Sequence, residues 1–330
     1  MIMPELLWLR QAMDEMENRI QSFSKAAGVT ETLRQTISGA MSGKGKRYRP
    51  MLLLLCAGEP RRWRCKDEVI TLAAAVELTH TASLIHDDIV DDAPIRRGLP
   101  TAQSKYGKHN AVYAGDYLLA ETLRNTLARG FCAGTVELLS CVGRMCEGEI
   151  VQMSNRWNTE VGLEAYIKAI SGKTAALFET ACRLGAQAGN KSPEEVEAMA
   201  KCGRDLGILF QLNDDLNDWT LSAENSGKAV NMDFLDGIFT YPAISTFSDR
   251  AKGNELRELA DLVKSRGPSA ELANRARELV KSAGGISRCE ETMEDYCREV
   301  ILGLSRFQGD KCAEMISACA QRLCTGRSAR

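Results

Sequence analysis

The chain has 330 residues, and its 42 lysines and arginines almost balance 44 aspartates and glutamates, so the net charge of -2 excludes the broad basic surface of a nucleic-acid-binding protein. Its 44% hydrophobic content is enough for a sizeable core, and a single domain over residues 1–330 is expected. The longest apolar stretch, Met51 to Gly58, is far short of the roughly 20 residues that span a bilayer, and no basic segment precedes an apolar run at the N-terminus, so no transmembrane segment and a cytoplasmic location are expected.

Apolar residues recur at helical spacing along most of the chain, prolines number only eight and β-branched runs are few, which predicts an all-α fold. The first break is Gly43 to Pro50, GKGKRYRP, where glycine lets backbone amides approach an anion while Lys46 and Arg49 bring charge. Taken alone, this segment also reads as a solvated basic loop. Next comes a long helix from Val69 to Asp91, with Leu72, Val76, Thr79, Ser83 and Asp87 along one stripe, ending in HDDIVDD. A second break, Ala93 to Thr101, holds Arg96 and Arg97 close behind those acids.

After a break at Gly189 to Pro193, the residues from Glu195 to Trp219 repeat the pattern of an apolar helix running into acid, here NDDLND. Residues from Ser222 to Asp236 form another break, and the C-terminal third reads as amphipathic helix. The twelve cysteines include no CxxC pair, which indicates neither a zinc site nor a disulfide scaffold.

The chemistry is concentrated in the two acidic clusters. Asp87 and Asp91 stand one helical turn apart on one face, with Asp88 between them, and Asp214, Asp215 and Asp218 repeat that DDxxD spacing. A lone acidic cluster is more often a solvated face or a helix cap. Two clusters of identical spacing, each ending an apolar stripe, instead suit a magnesium site, because that ion takes one or two carboxylates together with waters and phosphate oxygens. A diphosphate clamped in this way becomes a better leaving group.

GKGKRYRP, LTHTASLIHDDIVDDAPIRRGLPT, GDYLLA, GEIVQ, SGKTAALF and FQLNDDLND occur in the order found in trans-isoprenyl diphosphate synthases, and the sequence resembles that family over nearly all of Gly43 to Pro242. The resemblance implies an isoprenoid-synthase helical bundle around a deep central cavity, with the two motifs at its mouth. It also implies head-to-tail condensation of isopentenyl diphosphate with an allylic diphosphate, through ionisation of the allylic substrate. By the same resemblance Asp87, Asp91, Asp214 and Asp218 would hold magnesium, three ions per site, with Asp88 and Asp215 completing the catalytic motifs. Lys46, Arg49, His80 and Arg97 would bind isopentenyl diphosphate. Arg96, Lys173, Thr174, Gln211 and Lys228 would hold the allylic diphosphate, and Lys173 is also counted with the catalytic set.

His80 read by itself is more often a satisfied histidine on a buried helix than a ligand, while Lys173 and Thr174 equally form an ordinary turn. His86 has a weaker claim beside the metal site, His109 none, and Gln152 stands as a supporting partner. Ala82 and Ser83 precede the first motif where a bulky aromatic residue limits products to short chains, so HTASLIHDD resembles the long-chain, hexaprenyl to decaprenyl, synthases. Two positions depart from the pattern: Asn231 replaces a usual glycine and Ile238 a common lysine, while Lys228 and Asp233 remain. The resemblance further implies a homodimer and allows a small partner subunit. Rival readings are a short-chain synthase, a class I terpene cyclase, and a catalytic or non-catalytic subunit of a heteromeric synthase. A cyclase does not need Lys46, Arg49 and Arg97, and a non-catalytic subunit would have lost one aspartate motif.

Overall fold

The computed structural model describes residues 7–24, 29–41, 45–220 and 232–325. Among them the expected helices dominate, and the only strands form a two-residue hairpin, Ile95–Arg96 paired antiparallel with Leu99–Pro100. The sequence reading gave this segment as a break. Gly98 at φ +78° makes the tight reversal that turns it into a ribbon.

The chain divides into two compact units. The first comprises Met1–Val142, Thr180–Ala200 and Gly309–Ala313. It opens with α1 (Leu7–Ser24), whose buried face is Leu9, Ala12, Met16 and Ile20 and whose other side carries acids. Helices α2 (Glu31–Met41) and α3 (Tyr48–Ala57) follow, and α3 is buried on every side from Leu52 to Ala57. Helix α4 (Lys66–Val90) is the axis of the unit, with every residue from Glu68 to Thr79 buried. It is long and apolar enough to cross a membrane, yet 78% of its apolar window is buried inside the protein, which identifies a core helix. Its alanines Ala73, Ala74 and Ala75 permit close packing, and α4 runs against α6 (Lys108–Ala128) beyond the short α5 (Ala102–Tyr106).

The second unit comprises Gly143–Glu179, Lys201–Gln308 and Glu314–Arg330. Helix α7 (Cys132–Ser154) enters it at Gly143, followed by α8 (Leu163–Ile170), a π-helical turn over Ser171–Ala175 and the start of α9 (Ala176–Ala188), which from Thr180 belongs to the first unit. Helix α10 (Pro193–Thr220) contains the second predicted long helix and ends close to the boundary read from sequence. After α11 (Met232–Leu235), every residue of α12 (Tyr241–Phe247) is buried, and the rings of Trp219, Phe234, Phe239 and Phe247 contact one another in series. Helices α13 (Lys252–Arg266), α14 (Ala270–Ser282), α15 (Gly285–Leu304) and α16 (Lys311–Cys324) are the amphipathic C-terminal segments. All twelve cysteines are free thiols, as their spacing predicted.

Candidate active site

In the first unit the C-terminal end of α4 delivers the first motif. Asp91 caps the helix with its amide bonded to the Asp87 carbonyl at 2.9 Å, so Asp87 and Asp91 stand one turn apart at its rim. Asp88, between them, is buried to 5% exposure, and its Oδ1 accepts from Arg96 Nε at 2.6 Å. The hairpin exists at this point to bring Arg96 back onto the helix that precedes it.

Below the motif lies a pocket whose ionisable lining is Arg47, Glu77, His80, Asp88, Arg96 and Arg97. His80 Nε2 sits 3.1 Å from Arg49 Nη1. A guanidinium can only donate, so His80 accepts at Nε2 and must be neutral there. Burial pushes the imidazole well below its usual pKa, and the surrounding arginines 49, 97, 96 and 47 add to the effect. Arg97 is at φ +53°, with its Nη1 so close to Gly45 that a β-carbon on Gly45 would lie 2.8 Å from it. Lys46 is exposed, its ammonium 6.0 Å from the centre of the Tyr48 ring. The pocket therefore gathers His80, Arg96 and Arg97 from the predicted set, with Arg49 behind His80 and Lys46 at the surface.

Ala82 is buried and Ser83 half-buried, the latter donating to the His80 carbonyl at 2.9 Å. His86 Nε2 reaches Asp116 Oδ1 at 3.2 Å, so it is tied to the GDYLLA segment of α6. His109 is exposed.

In the second unit the centre is Asp215. It is 4% exposed, and both its oxygens are occupied: Tyr166 OH donates to Oδ2 at 2.5 Å and Gln211 Nε2 to Oδ1 at 2.7 Å. Gln211 in turn accepts from Thr174 Oγ1 at 2.6 Å, so Tyr166, Asp215, Gln211 and Thr174 form one hydrogen-bonded chain. Lys173 donates to Gln152 Oε1 at 2.8 Å and is paired with Glu149 Oε1 at 2.9 Å. Lys173 and Thr174 do not lie in an ordinary turn. They occupy the π-helical turn, a geometry that recurs at functional sites because it re-aims side chains without ending the helix. The turn is pressed against α7 where Gly148 meets Gly172, and a β-carbon on Gly148 would fall 2.2 Å from the backbone nitrogen of Lys173.

Burial pushes the Asp215 carboxyl up to about 7, the Tyr166 and Gln211 bonds oppose this, and Asp214 adds to it. Asp233 is pushed up to about 8, by burial first and then by Asp215 and Asp218. Carboxylates that raise one another in this way are a site short of positive charge, and hard oxygen donors suit a hard divalent cation. Among the described residues, no group of three or more acids, histidines or cysteines is placed to hold a metal ion by itself.

A family model described as polyprenyl synthetase matches residues 30–280. The chain belongs to this family. Among its relatives, the heptaprenyl diphosphate synthase component 2 of Geobacillus stearothermophilus is 34% identical over 238 residues, covering 72% of this chain and 71% of that protein. The short chain isoprenyl diphosphate synthase of Methanothermobacter thermautotrophicus is 33% identical over 277 residues, covering 81% and 82%. Among solved structures, the polyprenyl synthase of Caulobacter crescentus CB15, complexed with calcium and isoprenyl diphosphate, aligns over 98% of this chain and 97% of that one, with a TM-score of 0.88 and 26% identity. The isoprenoid-synthase helical fold is therefore shared.

Sequence reading of this polyprenyl synthetase missed Arg47, Glu77, Glu149 and Tyr166. A signal existed for Glu77, the one acid in the apolar run from Val69 to Leu78. Arg47 lay within a motif already singled out, and Glu149 within GEIVQ beside Gln152. Tyr166 had no signal, because nothing in the sequence links it to Asp215, 49 positions away. Lys228 and Asn231 lie outside the described residues. Ile238 is half-buried, and its amide bonds to the Asp233 carbonyl at 2.8 Å, a backbone role that any side chain except proline permits.

Proposed function

We propose that this polyprenyl synthase condenses isopentenyl diphosphate with an allylic diphosphate in the head-to-tail sense, releasing diphosphate and building a long all-trans polyprenyl chain. The observation that carries the reading is the pocket below the first motif, where His80, Arg96 and Arg97 meet beside Asp88 at the end of an otherwise apolar helix. A terpene cyclase, which takes one diphosphate, does not need such a second cationic site.

Asp87 and Asp91, and likewise Asp214 and Asp218, would hold magnesium, which would supply charge neutralisation for a departing diphosphate. Lys173 and Thr174 orient the allylic diphosphate, Gln211 and Lys228 assist, and Arg96 serves it from the hairpin. Arg49 and Arg97, with Lys46, bind isopentenyl diphosphate, while neutral His80 adds a hydrogen bond without adding charge. Both motifs serve one reaction, and the 330 residues act as one synthase domain working in the cytoplasm.

Exposed apolar residues on α7, namely Val136, Leu139, Ile150 and Met153, recur at helical spacing and support assembly with a second copy. A relative named as one component of a synthase supports testing for a small partner subunit as well.

The test is incubation of the protein with farnesyl diphosphate, magnesium and labelled isopentenyl diphosphate, followed by chromatography of the dephosphorylated products. Chains of about 30 or more carbons, or six or more isoprene units, are expected from the small residues at 82 and 83. A product that stops at about 15 to 20 carbons would favour the short-chain reading, which the Methanothermobacter relative represents. Ala82→Phe should shift products toward shorter chains with the first condensation intact. An unchanged distribution from a folded variant would refute the chain-length role of this position.

A further inference from the structure

The pocket below the first motif contains a guanidinium to which the phosphate-binding assignment gives no part. Arg47 lies between Lys46 and Arg49, at φ +51°, in the left-handed region that non-glycine residues avoid. Its Nε donates to Glu17 Oε1 of α1 at 2.7 Å, and its Nη1 to Glu77 Oε1 of α4 at 2.5 Å. The Arg47 side chain is 17% exposed and that of Glu77 only 6%. Burial raises the pKa of the Glu77 carboxyl and Arg47 pulls it back, so this acid is held in place by its partner.

Two features separate Arg47 from a phosphate ligand. Its charge is already matched by two carboxylates from different helices. Its strained backbone also sits in the middle of the GKGKRYRP segment, where any relaxation would move both neighbours. Glu77 lies three residues before His80, and both line the same pocket, with Arg49 reaching His80 from the residue two beyond Arg47.

We propose that Arg47 is a positioning residue for the isopentenyl diphosphate site: clamped by Glu17 and Glu77, it holds the left-handed kink that aims Lys46 and Arg49, and it makes helix α1 part of the machinery for the second substrate. The inference rests on the reading of this pocket as the isopentenyl diphosphate site. Both carboxylates are engaged by Arg47. Their contribution is to fix the geometry of the cations before binding, so it should appear in the constant for one substrate alone.

The test measures kcat, the KM for isopentenyl diphosphate, the KM for farnesyl diphosphate and the melting temperature of Glu17→Gln, Glu77→Gln and Arg47→Lys, with Arg97→Ala as reference. Arg97→Ala should raise the KM for isopentenyl diphosphate by roughly tenfold or more. Glu17→Gln and Glu77→Gln should each raise that KM by about threefold to tenfold, with the farnesyl constant within about twofold of wild type. Arg47→Lys keeps the charge but not the fork that spans two carboxylates, so it should behave like the glutamine variants. Glu17 is 40% exposed, and its variant remains informative even where Glu77→Gln fails to fold.

If Arg97→Ala moves the KM and the other three change only the melting temperature, the pocket reading stands and the clamp is purely structural. If Arg97→Ala leaves the KM unchanged, the pocket reading falls and the clamp inference with it. Equal effects of Glu17→Gln on both substrate constants would also overturn the clamp.

Discussion

The two aspartate motifs share one spacing and end two long apolar helices, yet they sit in surroundings of opposite sign. Around the first, burial and then Arg49, Arg97, Arg96 and Arg47 hold His80 neutral, and the middle aspartate, Asp88, pairs with a guanidinium. Around the second, acids crowd one another, and the middle aspartate, Asp215, is held by the neutral donors Tyr166 and Gln211. DDxxD spacing therefore defines the outer pair in each motif. The middle carboxylate takes its role from whatever its own unit brings to it.

The outer pairs should be equivalent. Asp87→Ala and Asp214→Ala are each expected to lower kcat by about a thousandfold or more, with helical content by circular dichroism unchanged. Near-normal turnover in either at saturating magnesium would show that the motifs are not equivalent and that one of them holds no metal.

The middle positions should separate the two surroundings. Asp88→Asn removes the ionic partner of Arg96 and is expected to cost about tenfold to a hundredfold in kcat/KM for the allylic substrate. Tyr166→Phe removes one neutral donor from Asp215, keeps the packed ring, and should cost about 1 to 3 kcal/mol of stability. An unchanged melting curve for Tyr166→Phe would mean that the 2.5 Å bond is not holding the carboxylate.

Stability against pH, in protein freed of metal by chelation, should differ in sign between the two regions. His80 has a folded pKa below the unfolded value of about 6.5, so the unfolded chain binds the proton more readily and stability is lost as pH falls through that value. His80→Gln should melt closer to its neutral-pH temperature at pH 5.5 than wild type does. Asp233, pushed up to about 8, contributes stability that is full below the unfolded carboxylate range and is lost as pH rises through about 8. Asp233→Asn should therefore gain on wild type at pH 9 and not at pH 5. If both variants responded in the same direction, the contrast in local charge would be wrong. Of the four tests this has the smallest expected effect.

Much of this was legible in the sequence, for identifiable reasons. The apolar stripes of α4 and α10 carry a 3.6-residue period, which survives without any tertiary information, and both helices end within three residues of where the pattern stops at each end. The outer aspartates were legible because their spacing is local. What escaped reading depends on contacts far apart in the chain: Glu17 with Arg47 across 30 positions, and Tyr166 with Asp215 across 49. The hairpin at Ile95 to Pro100 was also missed, since two-residue strands leave no alternation to detect.

The π-helical turn at Ser171–Ala175 has a consequence for tolerance to insertion and deletion. Such a turn contains one residue more than an α-helix needs, so the segment holds a spare position in an otherwise regular rod. Removing a residue there would let the helix heal into regular α geometry with the flanking segments close to their register, but the residues of the turn itself would swing away from where the bulge aims them. Lys173 and Thr174 would then lose their alignment with Gln152 and Gln211 although every side chain needed for binding was still present. Length at this point is as much a part of the site as composition.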